Sequence, residues 1–241
     1  MFREFLRGIG ASGRAMKLLV SARSVRRYAM MPLLINLLLF AIGVPLLVWL
    51  VIGQVGRLMP AAGFGPLRML MQIVVALALV IGSVFAFTAI GGVIAAPFHS
   101  LLARAVEEHL TGRPLRDDPG FVSGAFRSII TALGRLLLFA LLYPPILATA
   151  LIPVAGVVLQ PLLTTLYGAF VLSLDFSDPV FERHIPKLRD RMRYIGRRKP
   201  RYLGFGLVCV AIALVPILNF ILLPVSVTAA AILFVEDNDG L

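Results

Sequence analysis

The residues best suited to chemistry in this sequence are Arg26 and Arg27, which stand just before a long uncharged run. With Ser24 and Val25 they form a turn in which the serine is placed to cap a helix. A helix start presents N–H groups that lack intrahelical acceptors, together with the positive end of the helix dipole. Backbone donors beside fixed guanidinium charges make an anion site. An oxyanion that is fully ionised at neutral pH needs such donors and cations and no base. The competing reading is that both arginines extend to lipid phosphates.

Other polar groups inside apolar runs form a second set. Pro216 and Asn219 break the last run, Pro144 and Pro153 break the third, and Asn36 follows Pro32 in the first. Short apolar segments interrupted by proline are pointers to transport paths. They are read as pore or turn residues, with hairpin capping and helix packing as the alternatives.

Catalytic chemistry has little footing. His99, His109 and His184 are the only histidines and none has zinc-protease spacing. Glu107, Glu108 and His109 are read as a solvated helix face. No phosphate-cradling loop with its lysine is present, so ATP-driven transport by this chain alone is not expected. Gly8, Gly10 and Gly13 spell G-x-G-x-x-G, but only seven residues precede them and no strand can form there. Cys209 is the sole cysteine, which excludes a disulfide within the chain and a cysteine metal cluster. The chain is read as no enzyme, with no metal and no cofactor.

The elements that must position these residues are set by composition. The 241 residues are 59% hydrophobic and 15% charged, against about 25% charged in a soluble domain. Residues 28–56 contain no Asp, Glu, Lys or Arg. A helix crosses a bilayer with about 20 apolar residues, so this run crosses with tilt to spare. A second crossing is expected over 69–96, with Pro97 ending it. Residues 1–27 form an interfacial amphipathic helix, with Arg3, Arg7, Arg14 and Lys17 toward head groups. Residues 98–112 form another. Residues 113–128 are a loop outside the bilayer. Residues 129–174 form a helical hairpin turning near Pro153 and Gly156. Residues 202–235 hold Pro216 and Asn219 near their centre. Each arm is then roughly 22 Å of helix, too short for a crossing of about 30 Å, so the arms enter and return as a re-entrant hairpin.

Residues 175–201 carry the densest positive charge and are read as a basic cytoplasmic segment. The net charge of +11 comes from 23 Lys+Arg against 12 Asp+Glu. In a membrane protein it reads as cytoplasmic loop charge rather than a nucleic-acid surface. The expected fold is therefore an all-α integral membrane protein. It has two long transmembrane helices, two partly inserted helical hairpins and interfacial amphipathic helices. Hairpin tips facing lipid imply an oligomer. Two rival functions remain at this point. One is a non-transporting scaffold whose basic segment holds anionic lipid or a cytosolic partner. The other, weaker one is an enzyme acting on lipid head groups through Glu107, Glu108 and His109.

Four stretches carry a family resemblance: 24–40 (SVRRYAMMPLLINLLLF), 94–112 (IAAPFHSLLARAVEEHLTG), 174–179 (LDFSDP) and 204–227 (GFGLVCVAIALVPILNFILLPVSV). In this order and spacing the chain resembles the CysZ-type sulfate permeases and, more broadly, the etoposide-induced-protein superfamily. The resemblance implies a multi-pass inner-membrane protein that imports sulfate for cysteine synthesis without an ATPase of its own. It also implies an oligomer of chains with two spanning helices and two partly inserted hairpins. The family's sulfate site is a G-x-R-R turn before the first membrane helix. Here that turn is Ser24, Val25, Arg26 and Arg27, with serine in the glycine's place. The family's Gly-Ala-Thr near its C-terminal helix is Ala229, Ala230 and Ala231 here.

Overall fold

The structure is a computed structural model that describes residues 1–58, 66–115, 121–153, 155–215 and 218–238. Between residues 32 and 97 it describes only some side chains, and it describes none at 121–132, 219 and 220. All regular structure in the described residues is helical: α1 (Phe2–Ser21), α2 (Arg23–Leu58), α3 (Pro66–Thr111), α4 (Phe121–Ala148), a 3-10 turn (Thr149–Leu151), α5 (Ala155–His184), α6 (Leu188–Arg197), α7 (Lys199–Ala213) and α8 (Asn219–Asn238). Leu133–Leu151, Ala155–His184 and Ile221–Asn238 are long and apolar enough to cross a membrane. The helical G-x-G-x-x-G glycines lie inside α1, which removes the dinucleotide reading.

The chain divides into two compact units, Pro32–Ala96 and a second made of Met1–Met31 with Pro97–Leu241. In the first unit the apolar side chains of Leu34, Leu37, Leu38, Ile42, Leu46, Trp49, Ile73, Val74 and Leu77 point outward. An aqueous surface does not tolerate such a stretch, and a hydrocarbon one does.

The second unit holds the core, and α7 is its centre. Three glycines let backbones meet. A Cβ on Gly8 of α1 would lie 1.9 Å from the Arg201 carbonyl oxygen of α7. One on Gly204 of α7 would lie 2.4 Å from the Phe5 carbonyl oxygen, and one on Gly206 1.9 Å from that of Ala169 in α5. Small residues bring helices this close where lipid supplies no hydrophobic drive. Thus α7 is gripped by α1 on one side and by α5 on the other. Helix α8 backs this layer with a buried run that includes Val225, Val227, Ala229, Ala230, Ala231 and Leu233. Phe181, Tyr194, Tyr202 and Phe234 fill the space between, with ring centroids 5.4 to 6.4 Å apart. The Cys209 thiol is buried there, 3.3 Å from the Ser226 hydroxyl.

Several expected boundaries move. Pro97 does not end a helix, because α3 runs unbroken from Pro66 to Thr111. Pro144 and Pro145 sit inside α4, and Pro161 and Pro179 inside α5. Membrane-type helices tolerate such prolines because neighbouring groups satisfy the freed carbonyls. Between α4 and α5 the chain passes through the 3-10 turn and Pro153, where it exposes Leu151, Ile152 and Pro153. Helix α4 starts at Phe121, within the stretch expected as a loop. Helix α5 also carries on through the start of the basic segment to His184. The last run is broken between Ala213 and Asn219, with arms of 15 and 20 residues. The expected length of roughly 22 Å holds for α7 and is corrected for α8, which at about 30 Å is long enough to cross. Pro216 falls outside the described residues, as do the side chains of Asn36 and Asn219.

Candidate functional site: the first turn of the second helix

Helix α1 ends at Ser21, and Ala22 alone is extended (φ −91°, ψ 103°) before α2 begins at Arg23. The Ala22 carbonyl accepts the first bond of α2, from the Arg26 N–H at 2.9 Å. Ala22 therefore holds the cap position, and the expected capping role of Ser24 is corrected. Ser24 is the second residue of the helix and is exposed. By the geometry of a helix start, the N–H groups of Arg23, Ser24 and Val25 have no intrahelical acceptor.

Val25 and Ala29 are buried in the core, and this fixes the rotation of the turn. Arg23, Arg26 and Arg27 are all exposed. Arg23 lies three and four residues before the other two, so the three share one helix face. Long helical side chains lean back over the preceding turn, which carries the Arg26 and Arg27 guanidiniums toward the free N–H groups. Among the described residues none of the three arginines has an ion-pair partner. Arg23 was absent from the expected site. Its signal is the helix start two residues earlier than a serine cap implies.

The other arginines behave differently. Arg183 pairs with Glu107 at 2.5 Å, and His184 Nε2 lies 2.8 Å from the second oxygen of the same carboxylate. Glu107 is only 3% exposed, so the reading of Glu107 as part of a solvated face is corrected. Its neighbours Glu108 and His109 are more open. Glu108 bonds Arg104 and the Leu115 N–H, and the Arg104 guanidinium holds its carboxyl below the ordinary range. Arg191, 1% exposed, donates to Asp178, which also meets Arg135 at 3.0 Å. Arg198 meets Asp237 at 3.1 Å, and Arg201 bonds both Asp237 and Glu4. Five arginines of the basic segment thus enter ion pairs, and these tie α5 to α3, α6 to α5, and α7 to α1 and α8.

Two open clefts border these groups. One of about 550 Å³ is lined by Glu107, Arg113, His184, Tyr194, Phe234 and Asn238, among others. Another of about 280 Å³ lies between Tyr28 and Leu101, Arg104, Ala105 and Glu108. Among the described residues no group of three His, Cys, Asp or Glu side chains is placed to hold a metal ion.

Fold and turn together define an all-helical membrane protein that exposes a cluster of arginines at the head of its first long apolar helix. Residues 11–224 match the family described as Sulfate transporter CysZ/Etoposide-induced protein 2.4, and the chain belongs to that family. A Vibrio parahaemolyticus protein named Sulfate transporter CysZ is 28% identical over 228 residues, 88% of each chain. One of the same name from Vibrio atlanticus is 29% identical over 229 residues, 89% of this chain and 86% of its own. A third, from Vibrio cholerae, is 29% identical over 161 residues, 63% of this chain and 61% of its own.

Proposed function

We propose that several copies of this chain form a passage for sulfate or a related oxyanion across the bacterial inner membrane, supplying sulfur assimilation. The family and the printed names of its relatives support the substrate class. The observation that carries the site is the meeting of exposed arginines with a helix start whose first N–H groups have no intrahelical acceptor. Arg183, Arg191, Arg198 and Arg201 are consumed in internal pairs. Arg23, Arg26 and Arg27 stand exposed beside three backbone donors. Together with Ser24 and Val25 they select the anion by charge-assisted hydrogen bonds. No bond of the substrate is made or broken, so no catalytic residue is required.

In this reading α2 and α3 cross the bilayer, while α4 with α5 and α7 with α8 form hairpins that enter and return. At 15 residues α7 is roughly 22 Å long, short of a crossing of about 30 Å. The turn from Thr149 to Pro153 and the break between Ala213 and Asn219 line the path between protomers. The basic ends face the cytoplasm. The scaffold alternative would use Lys187, Arg189, Arg197 and Lys199, which stay exposed on the basic segment. The names of the relatives favour transport over it.

The test is sulfate uptake into proteoliposomes by Arg26→Ala combined with Arg27→Ala. Each charge-assisted bond contributes about 1.5–3 kcal/mol, so uptake at low sulfate falls roughly a hundredfold or more while the protein stays monodisperse. Uptake equal to the parent protein removes the site assignment.

A further inference from the structure

Helix α1 is joined to the anion turn by one non-helical residue, Ala22. Its far end is keyed into α7 and α8. Arg201 of α7 donates from Nε to Glu4 Oε2 at 2.6 Å and from Nη2 to the same oxygen. Its Nη1 donates to Asp237 of α8. Asp237 is 3% exposed and also accepts from Arg198 and from the Tyr194 hydroxyl. Beside this knot Gly8 rests on the Arg201 carbonyl, so α1 cannot slide along α7 without a backbone clash. Ala11, Ser12, Ala15 and Leu19 continue the buried contact of α1 to within three residues of Ala22. The strut is 20 residues, or about 30 Å, long.

We propose that Glu4, Arg201 and Asp237 are positioning residues for the anion turn, coupling it through α1 to the α7–α8 hairpin. The knot joins three helices at one guanidinium, and its fork geometry fixes direction as well as distance. Loosening it frees α1 to tilt about its packed middle. The single joint at Ala22 passes that tilt to Arg23, Arg26 and Arg27. The proposal rests on the anion-site reading above, and its test keeps the two apart.

The experiment compares sulfate uptake by the parent protein, Glu4→Gln, Arg201→Lys and Arg14→Gln as full-length chains in proteoliposomes. Arg14 of α1 pairs directly with Glu236 of α8 at 3.1 Å, outside the knot. Coupling of this kind is worth 5- to 150-fold in affinity. Glu4→Gln is expected to raise the sulfate KM about tenfold with the maximal rate nearly kept. Arg201→Lys, which keeps the charge and loses the fork, shifts KM in the same direction even where Glu4→Gln yields no folded protein. Arg14→Gln shifts KM less than twofold. A parental KM in both Glu4→Gln and Arg201→Lys overturns the proposal. So does a loss confined to maximal rate and protein yield, the mark of a merely structural contact. If instead the Arg26 and Arg27 double variant keeps parental uptake, the anion site itself fails, whatever Glu4 does.

Discussion

At the residue scale, the difference between one arginine and another is its partner. Arg201 shares its protons between Glu4 and Asp237, and its hydrogen bonds hold the Glu4 carboxyl below its ordinary value of 4.5. A carboxylate with a lowered folded pKa contributes stability that is fully present above its unfolded value. That contribution disappears as pH falls through the folded value. Unfolding midpoints followed from pH 7 to pH 3 should therefore drop more in the parent than in Glu4→Gln, and only at the acid end. Equal drops in both proteins would contradict the assignment. The parts of the proposed anion turn stand out in sequence because they are neighbours: two arginines, a helix start and an uncharged run. The burial of Glu107 does not. Glu107 shares a helix face with Arg104 and Glu108, and only the approach of Arg183 and His184 from a distant helix buries it. Charge density in 175–201 was visible, but the acids at Glu4 and Asp237 that absorb it lie far along the chain.

At the element scale, α7 is held by close backbone contact on two sides. Gly8→Ala would set a methyl group against the Arg201 carbonyl, and overpacking of this kind costs about 1–3 kcal/mol or more. Gly13, on the open side of α1, has nothing within 4 Å of its would-be Cβ. Gly13→Ala should therefore raise stability by up to about 1 kcal/mol through helix propensity alone. Thermal unfolding of the two variants in detergent should move in opposite directions. The bend near Pro153 was readable because proline and Gly156 stand together near the middle of a long uncharged run. A helix end was misread at Pro97 and a break at Pro144, where the helices continue past the proline. Sequence shows the missing N–H and not the neighbours that make it tolerable.

At the scale of the whole molecule, much of the apolar surface is unburied by its own chain. Val157 and Val158 just after Pro153, and Leu214 just after α7, are more than two-thirds exposed. Such side chains require lipid or another copy around them. Val157→Arg should lower insertion or assembly, because a charge at membrane depth costs about 2.5–3.5 kcal/mol. The size of the purified particle in nanodiscs, compared with the parent, checks this. An unchanged particle in unchanged yield would place that residue in water.

The sealed thiol of Cys209 has a practical corollary. It is the chain's single sulfhydryl and it faces Ser226 across the seam of α7 and α8. A maleimide added to the intact protein should find nothing to alkylate until those two helices part. The speed of modification, with and without sulfate in the buffer, then times how often the hairpin breathes, and no reporter group need be engineered.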